Sequence, residues 1–333
     1  MALQLVVRII ETPFDMAATP LEQVWQHGLI EWGVLDTVVQ SINSKMTGNW
    51  PQFKEFVERQ AGSQGLSKIV VMVPGTDVLL TTISMPGRRT RHLKQALPFL
   101  LEEQLATDIE DNFFAVGAKY PSTNQYPVAV VSHTKMALWV ELLSASGVNP
   151  DLVTSDVLLV PKADQGWSLL VSGELAWLRT DFLNGMCFDR QALPYVLESA
   201  VQGIQAEHED DIRIEWIEGG ACSGSNLAEG SNSAEGSNND PAEGFNPAEG
   251  SRIERQRLDA ELDQLSDGQV RIGEARVESG LLESFCQVLL APNLEKRTIN
   301  LLQGPYQIKR SGLDFDLGFS IRPLASLLVV WLV

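Results

Sequence analysis

Chemistry in this chain would have to come from its histidines, cysteines and clustered carboxylates, and none of the three is well placed for it. His27, His92, His133 and His208 are far apart. None has a second histidine or cysteine three or four residues away, the spacing that puts two metal ligands on one helix face, so no metal site is expected. Cys187, Cys222 and Cys286 are odd in number and form no C-x-x-C pair. That argues against a disulfide framework and fits a reducing compartment. Gly220-Ala221-Cys222-Ser223-Gly224 has the spacing of a nucleophile elbow. Such an elbow works only where a strand meets a helix under strain, and here a low-complexity stretch follows. His208-Glu209-Asp210-Asp211 reads as a solvated loop, because paired carboxylates act as acid and base only in a cleft that separates their pKa values. Glu102, Glu103, Asp108, Glu110 and Asp111 form a second acidic group, and an exposed acidic run is ordinarily a solvated surface.

Composition narrows the partners. The 333 residues carry a net charge of −18 and are 44% hydrophobic, enough for two ordinary cores. That charge repels phosphate backbones, so nucleic acid is not an expected partner. Basic residues gather only in the run Arg88, Arg89, Arg91, His92, Lys94. Residues 3–10 are apolar but short, interrupted by Arg8 and without a basic leader, so they read as a strand and not a signal peptide.

The elements that would position these groups follow from apolar periodicity. Strands are predicted over 3–10, 29–34, 69–73 and 77–84, with a helix over 52–60. Pro74-Gly75 and Pro86-Gly87 supply turns. A helix from 93 to 105 places Leu93, Ala96, Leu97, Leu100, Leu101 and Leu105 on one face and Gln95, Glu102 and Glu103 on the other, with Pro98 bending it or marking its first turn. Strands over 112–119 and 126–133 and a helix over 134–146 come next. In the second half, strands 167–172, 175–180 and 185–190 precede a helix over 191–203 and a strand over 211–217. Three hairpin-linked strands, a helix and a further strand open a ribonuclease-H-like unit, and the first half reads the same way. Ala-Glu-Gly recurs at 228, 234, 242 and 248 amid Ser, Asn, Asp and Pro, so residues 221–251 are expected to be a disordered, acidic linker. Helices over 252–265 and 279–290 follow it.

Residues 69–111, with their strand, VPG turn, second strand, PG turn with clustered arginines, ALPFLLEEQL and acidic tail, resemble protein L of the bacterial type II secretion system. The resemblance extends more weakly through the aromatic-rich strands between Trp167 and Phe188 and the INLLQGPY segment at 299–306. It implies an actin-like, two-lobed α/β body with an inserted subdomain, standing in the cytoplasm and held by a single membrane helix. It also implies a non-enzymatic platform role at the inner membrane, recruiting the secretion ATPase through that enzyme's N-terminal region during export of folded proteins from the periplasm, with Glu102, Glu103, Asp108, Glu110 and Asp111, at the end of the resembling segment, as a charged rim for that contact. Protein M among other platform subunits, and a second copy of the chain in a homodimer, are the further implied partners. Leu324, Leu327, Leu328, Val329, Val330, Trp331, Leu332 and Val333 would open the membrane helix, although ten apolar residues are about half of the roughly 20 needed to span a bilayer. Lys309, Arg310 and Arg322 would keep the body on the cytoplasmic side.

The corresponding division is a first lobe over 1–90, an inserted subdomain and return to that lobe over 91–150, a second lobe over 151–220 and the linker over 221–251. The rest of the second lobe occupies 252–310, a juxtamembrane stretch 311–323, and the truncated membrane helix 324–333. Two other functions suit an actin-like fold, an ATP-binding protein or kinase and a scaffold of type IV pilus assembly. The first needs glycine and aspartate in the first hairpin turn of each half, so that backbone N–H groups reach phosphates. Here Glu11-Thr12-Pro13-Phe14-Asp15 offers a proline and no glycine, and Ser172-Gly173-Glu174 offers one glycine and one acid. Gly219-Gly220 after a strand reads as a turn and not an adenine contact. No cofactor is therefore expected. The second is typically soluble, with its membrane partner a separate chain, so the apolar end at 324–333 favours the secretion protein.

Overall fold

The computed structural model describes residues 3–11, 20–61, 66–84, 93–121, 123–205, 212–219, 247–266, 269–278 and 280–308. The first lobe begins with β1 (Leu3–Glu11), α1 (Leu21–His27), β2 (Leu29–Asp36), β3 (Ser41–Asn49), α2 (Trp50–Ala61) and β4 (Lys68–Val73). An insert follows, made of β5 (Leu79–Ser84), α3 (Leu93–Leu101), β6 (Asn112–Val116) and β7 (Gln125–Ser132). The chain then returns through α4 (His133–Ala145) and β8 (Leu152–Ser155). The second lobe contains β9 (Trp167–Ser172), β10 (Leu175–Asp181), β11 (Asn184–Asp189), α5 (Leu193–Gln205), β12 (Ile212–Gly219), α6 (Pro247–Leu265), β13 (Val270–Ile272), β14 (Arg276–Glu278), α7 (Leu281–Leu289) and α8 (Leu294–Arg297).

The two large sheets share one topology. The first runs β3-β2-β1-β4-β8, with β1, β2 and β3 antiparallel and β4 and β8 parallel to β1. The second runs β11-β10-β9-β12-β13 in the same pattern, and β14 pairs further along β12. Two such ribonuclease-H-like lobes give the actin-like fold, and β5-β7-β6 is a separate antiparallel sheet.

Local sequence accounts for the main elements. β1 is central in its sheet, so Leu5, Val6, Val7 and Ile9 are all buried and its pattern is continuous instead of alternating. Before α2, Asn49 and Gln52 cap each other: Gln52 N donates to Asn49 Oδ1 at 3.1 Å, and Asn49 N donates to Gln52 Oε1 at 3.0 Å. Trp50, Phe53 and Phe56 then repeat at helical spacing and lie buried in the core, with Phe53 and Phe56 against Trp32 of β2. Ser132 caps α4, which buries Met136, Trp139, Leu142 and Leu143.

One core joins the lobes. Leu5, Val7 and Ile9 belong to the same buried cluster as Leu170, Trp177 and Ile217 of the second sheet and Phe285 of α7. The other face of the second sheet, with Leu169, Val171 and Trp216, meets Leu197 of α5 and Leu258 and Leu262 of α6 in a core of its own. In β7, Ala129 and Val131 enter the shared core, while Tyr126, Val128 and Val130 pack with Leu97 and Leu101 under α3. Strand alternation thus welds the insert to the body.

The structure moves several expected borders. β5 pairs with β7 in the insert, although residues up to 90 were expected in the first lobe. β8, expected in the second lobe, completes the first sheet beside β4. The last five residues of the expected linker, 247–251, open α6, because Ser251 is buried there and donates to Glu218 Oε1 at 2.7 Å. Residues 299–306, expected in the second lobe, strap the first lobe and insert: Leu301 N donates to Val153 O at 2.8 Å, Gln303 Nε2 to Val116 O at 3.0 Å, and Tyr306 Oη to His133 O at 3.1 Å. Residues 221–246 and 309–333, including the expected membrane segment, lie outside the described residues. Among the described residues, no helix is long and apolar enough to cross a membrane.

Candidate partner-docking site

The insert presents a ledge that combines apolar and acidic side chains. α3 buries Leu97 and Leu101, and Pro98 falls in its second half. The α-helix ends at Leu101 and tightens into a single 3-10 turn over Glu102–Gln104, short of the predicted end at 105. Leu100 is not on the buried face. It is 46% exposed, and the neighbouring Phe99 is 74% exposed. Glu102 and Glu103 are exposed just beyond them, and Asp108, Glu110 and Asp111 are exposed at a second 3-10 turn, Ile109–Asp111.

This ledge is held in place. Thr81 Oγ1 of β5 donates to Gln104 Oε1 at 3.0 Å, and Asn112 Nδ2 donates to Thr107 Oγ1 and to Asp108 O, both at 2.8 Å. The structure therefore brings the five predicted acids onto one arm, as two groups on consecutive turns. Phe99 and Leu100, placed by their helical neighbours, add an apolar centre. The sequence holds a signal for Phe99, which lies off the predicted apolar stripe of α3, but none for Leu100, which belongs to it. The arginine run at 88–91 and His92 lie outside the described residues.

A second cluster sits between the lobes. Arg8 of β1 faces Glu31 of β2 directly across the antiparallel ladder, with Nη1 to Oε2 at 3.5 Å. Its Nε lies 4.0 Å from Asp156 Oδ2, and its guanidinium stands 5.7 Å from the Trp177 ring and 5.8 Å from that of Phe285. The side chains of Arg8, Glu31 and Asp156 are each at most 4% exposed. Burial pushes the Asp156 carboxyl up to about 6, against the pull of Arg8. Lys45 extends the network to the surface, 3.4 Å from Glu31 and 2.9 Å from Glu283. Burial opposes its charge, but the two carboxylates hold its pKa above the ordinary lysine value. Aromatic rings and paired charges fill this region as a clasp between the lobes. Sequence reading treated Arg8 only as an interruption of a strand.

The remaining candidates are placed apart. Gly173 takes a φ of +57° in the β9–β10 turn, which needs glycine for its own geometry. His133 Nδ1 is 2.7 Å from Tyr306 Oη and serves the strap, while His27 ends α1. Burial raises the Cys187 thiol, and raises that of Cys286 to about 12, so both stay protonated and unreactive at neutral pH. Among the described residues, no three potential metal ligands come together. His208 to Asp211 and Gly220 to Gly224 lie outside the described residues.

A family model for type II secretion system (T2SS), protein L, matches residues 25–214. Type II secretion system protein L of Pectobacterium carotovorum subsp. carotovorum is 34% identical over 155 residues, covering 46% of this chain and 35% of the relative. That of Dickeya chrysanthemi is 36% identical over 138 residues, covering 41% and 34%. The match thus spans about a third of the length of these relatives. Among solved structures, the fold is similar to Cyto-EpsL, the cytoplasmic domain of EpsL, an inner membrane component of the type II secretion system of Vibrio cholerae. The TM-score is 0.60 at 20% identity, over 92% of this chain and 100% of that one. With more than half of its length matched by the family model, the chain belongs to the type II secretion system protein L family.

Proposed function

We propose that this chain is a non-enzymatic adaptor that recruits the cytoplasmic secretion ATPase to the inner-membrane platform and holds it there for export across the outer membrane. Family membership supplies the system, and the exposed ledge with Phe99, Leu100 and five acids is the observation that carries the docking role. An apolar centre with a charged rim suits a partner surface of opposite charge, the centre giving affinity and the rim steering and register. Tethering at a membrane raises effective concentration, so a modest interface suffices. The clasp of Arg8, Trp177 and Phe285 between the lobes supports a role without catalysis. On this reading residues 324–333 enter the membrane, Lys309, Arg310 and Arg322 keep the body cytoplasmic, and protein M and a second copy of the chain are the neighbouring subunits.

Co-purification with candidate secretion ATPases tests the role and the surface together. Reversing Glu102, Glu103, Asp108, Glu110 and Asp111 to lysine is expected to weaken capture at least tenfold. Unchanged capture would remove this ledge as the docking surface. Thermal melting with ATP and magnesium tests the adaptor reading separately, since a ligand that binds only the folded state raises the melting temperature. A shift at millimolar nucleotide would overturn a purely structural role.

A further inference from the structure

A groove of about 440 Å³ opens where the insert, the second lobe and the α7–α8 connection meet. Its walls include Tyr120, Phe182 and Pro292, and its rim includes Lys119, Lys296 and Arg297. The β10–β11 turn that carries Phe182 lies at the opposite end of its hairpin strand from the β9–β10 turn, where a phosphate loop of this fold would stand. The groove is therefore separate from a nucleotide cleft, and it is also separate from the ledge of acids.

Its charge is unusual for a chain of net charge −18. Among the described residues, Lys119, Lys296 and Arg297 make no ion pair. Lys119 donates only to Asn124 Oδ1, at 3.3 Å, and Arg297 lies 5.4 Å from the Phe182 ring. Behind the wall, Arg179 is 2% exposed and donates to the carbonyls of Val160 and Phe182. Burial and then the Arg297 charge hold its pKa down to about 10. Asp181, the acid that precedes this turn, accepts from Phe182 N at 2.6 Å and also acts on Tyr120 and Arg179. Three cationic side chains thus line the groove with one carboxylate, Asp181, beside them, so positive charge is in excess among the lining residues.

The shape favours one kind of anion. A phosphate site gathers backbone N–H groups on a single turn or helix start. Here the donors are three long side chains from two separate segments around an apolar wall, and Arg297 already covers one face of Phe182. Spaced carboxylates flanking a large apolar side chain match that layout.

We infer that this groove is a docking site for an acidic peptide segment, with an aliphatic or aromatic side chain against Tyr120 and Phe182 and flanking carboxylates on Lys119, Lys296 and Arg297. It stands independently of ATPase recruitment by the insert ledge.

The 333-residue chain is titrated at low salt against the fluorescein-labelled hexapeptides DELFED, DESSED and KKLFKK, read by anisotropy. DELFED is expected to bind saturably, DESSED at least fivefold more weakly, and Lys296→Glu/Arg297→Glu to lose at least tenfold for DELFED. Arg297 packs on Phe182, so Lys119→Glu on an exposed turn provides a second variant, with an expected loss of at least threefold. No binding of DELFED to the wild-type chain, or equal binding by the wild-type chain and Lys119→Glu, would overturn the inference. Displacement of DELFED by pyrophosphate at lower concentration than by unlabelled peptide would overturn it in favour of a phosphate site.

Discussion

Replacing Asp156 by asparagine should make the protein more stable at neutral pH and leave it unchanged near pH 3. Asp156 is 2% exposed, its Oδ1 has no hydrogen-bond partner, and Arg8 approaches no closer than 4.0 Å. Burial therefore outweighs attraction and moves the carboxyl from 3.8 in the unfolded chain to about 6 in the folded one. Between those values the folded state binds the extra proton, so stability falls as pH rises through the window. The displacement corresponds to about 3 kcal/mol once both states are ionised. Asparagine has the shape of the protonated carboxyl and no charge. The stability difference between Asp156→Asn and the wild type should accordingly grow from near zero at about pH 3 to about 2–3 kcal/mol in favour of the variant at pH 7.5. Urea unfolding of both proteins at half-unit steps of pH measures it. A difference independent of pH, or a wild type that gains on the variant as pH rises, would refute the reasoning.

Three further outcomes are expected. Arg8→Met removes the cation beside buried Asp156 and leaves Glu31 with Lys45 alone, and should cost about 3–5 kcal/mol, seen as a lower urea midpoint at pH 7.5. A Cβ at Gly75 would stand 2.4 Å from Val157 Cγ2 and 2.8 Å from Cys187 Cβ, so Gly75→Ala should lower stability by about 1–3 kcal/mol, checked by thermal melting. Phe99→Ser touches no core contact and should change stability by less than about 0.5 kcal/mol, while reducing ATPase co-purification several-fold; normal capture would move the docking face off α3.

What the sequence disclosed depended on how deeply an element is buried. The central strands β1, β4 and β9 are apolar on both faces and could be read directly, as could α5, whose Leu193, Leu197 and Val201 repeat at helical spacing. β3 could not, because SINSKMTGN is an edge strand with an exposed middle and no apolar alternation. β13 and β14 are three residues each and borrow their conformation from β12. In the candidate ledge, the acids were legible as a charge group, whereas the outward turn of Leu100 depends on how α3 sits on β7. The clasp was missed although Arg8 and Glu31 each interrupt an otherwise apolar strand. Two opposite charges at facing positions of neighbouring strands are a pattern that a sequence can show.

The strap over residues 299–306 also fixes how load would travel through the molecule. Leu301 is fastened to β8, Gln303 to β6 and Tyr306 to the start of α4, where its ring meets Phe113 edge-on at 5.0 Å. A pull applied through the chain beyond Ile308 would be borne first by the ring of Tyr306 and then by the two-way bonding of Gln303 with Val116. It would reach the insert sheet and the first lobe before the second lobe felt any of it. Tension from that end would thus be delivered to the scaffold beneath the α3 ledge, along a mechanical path that bypasses half of the body.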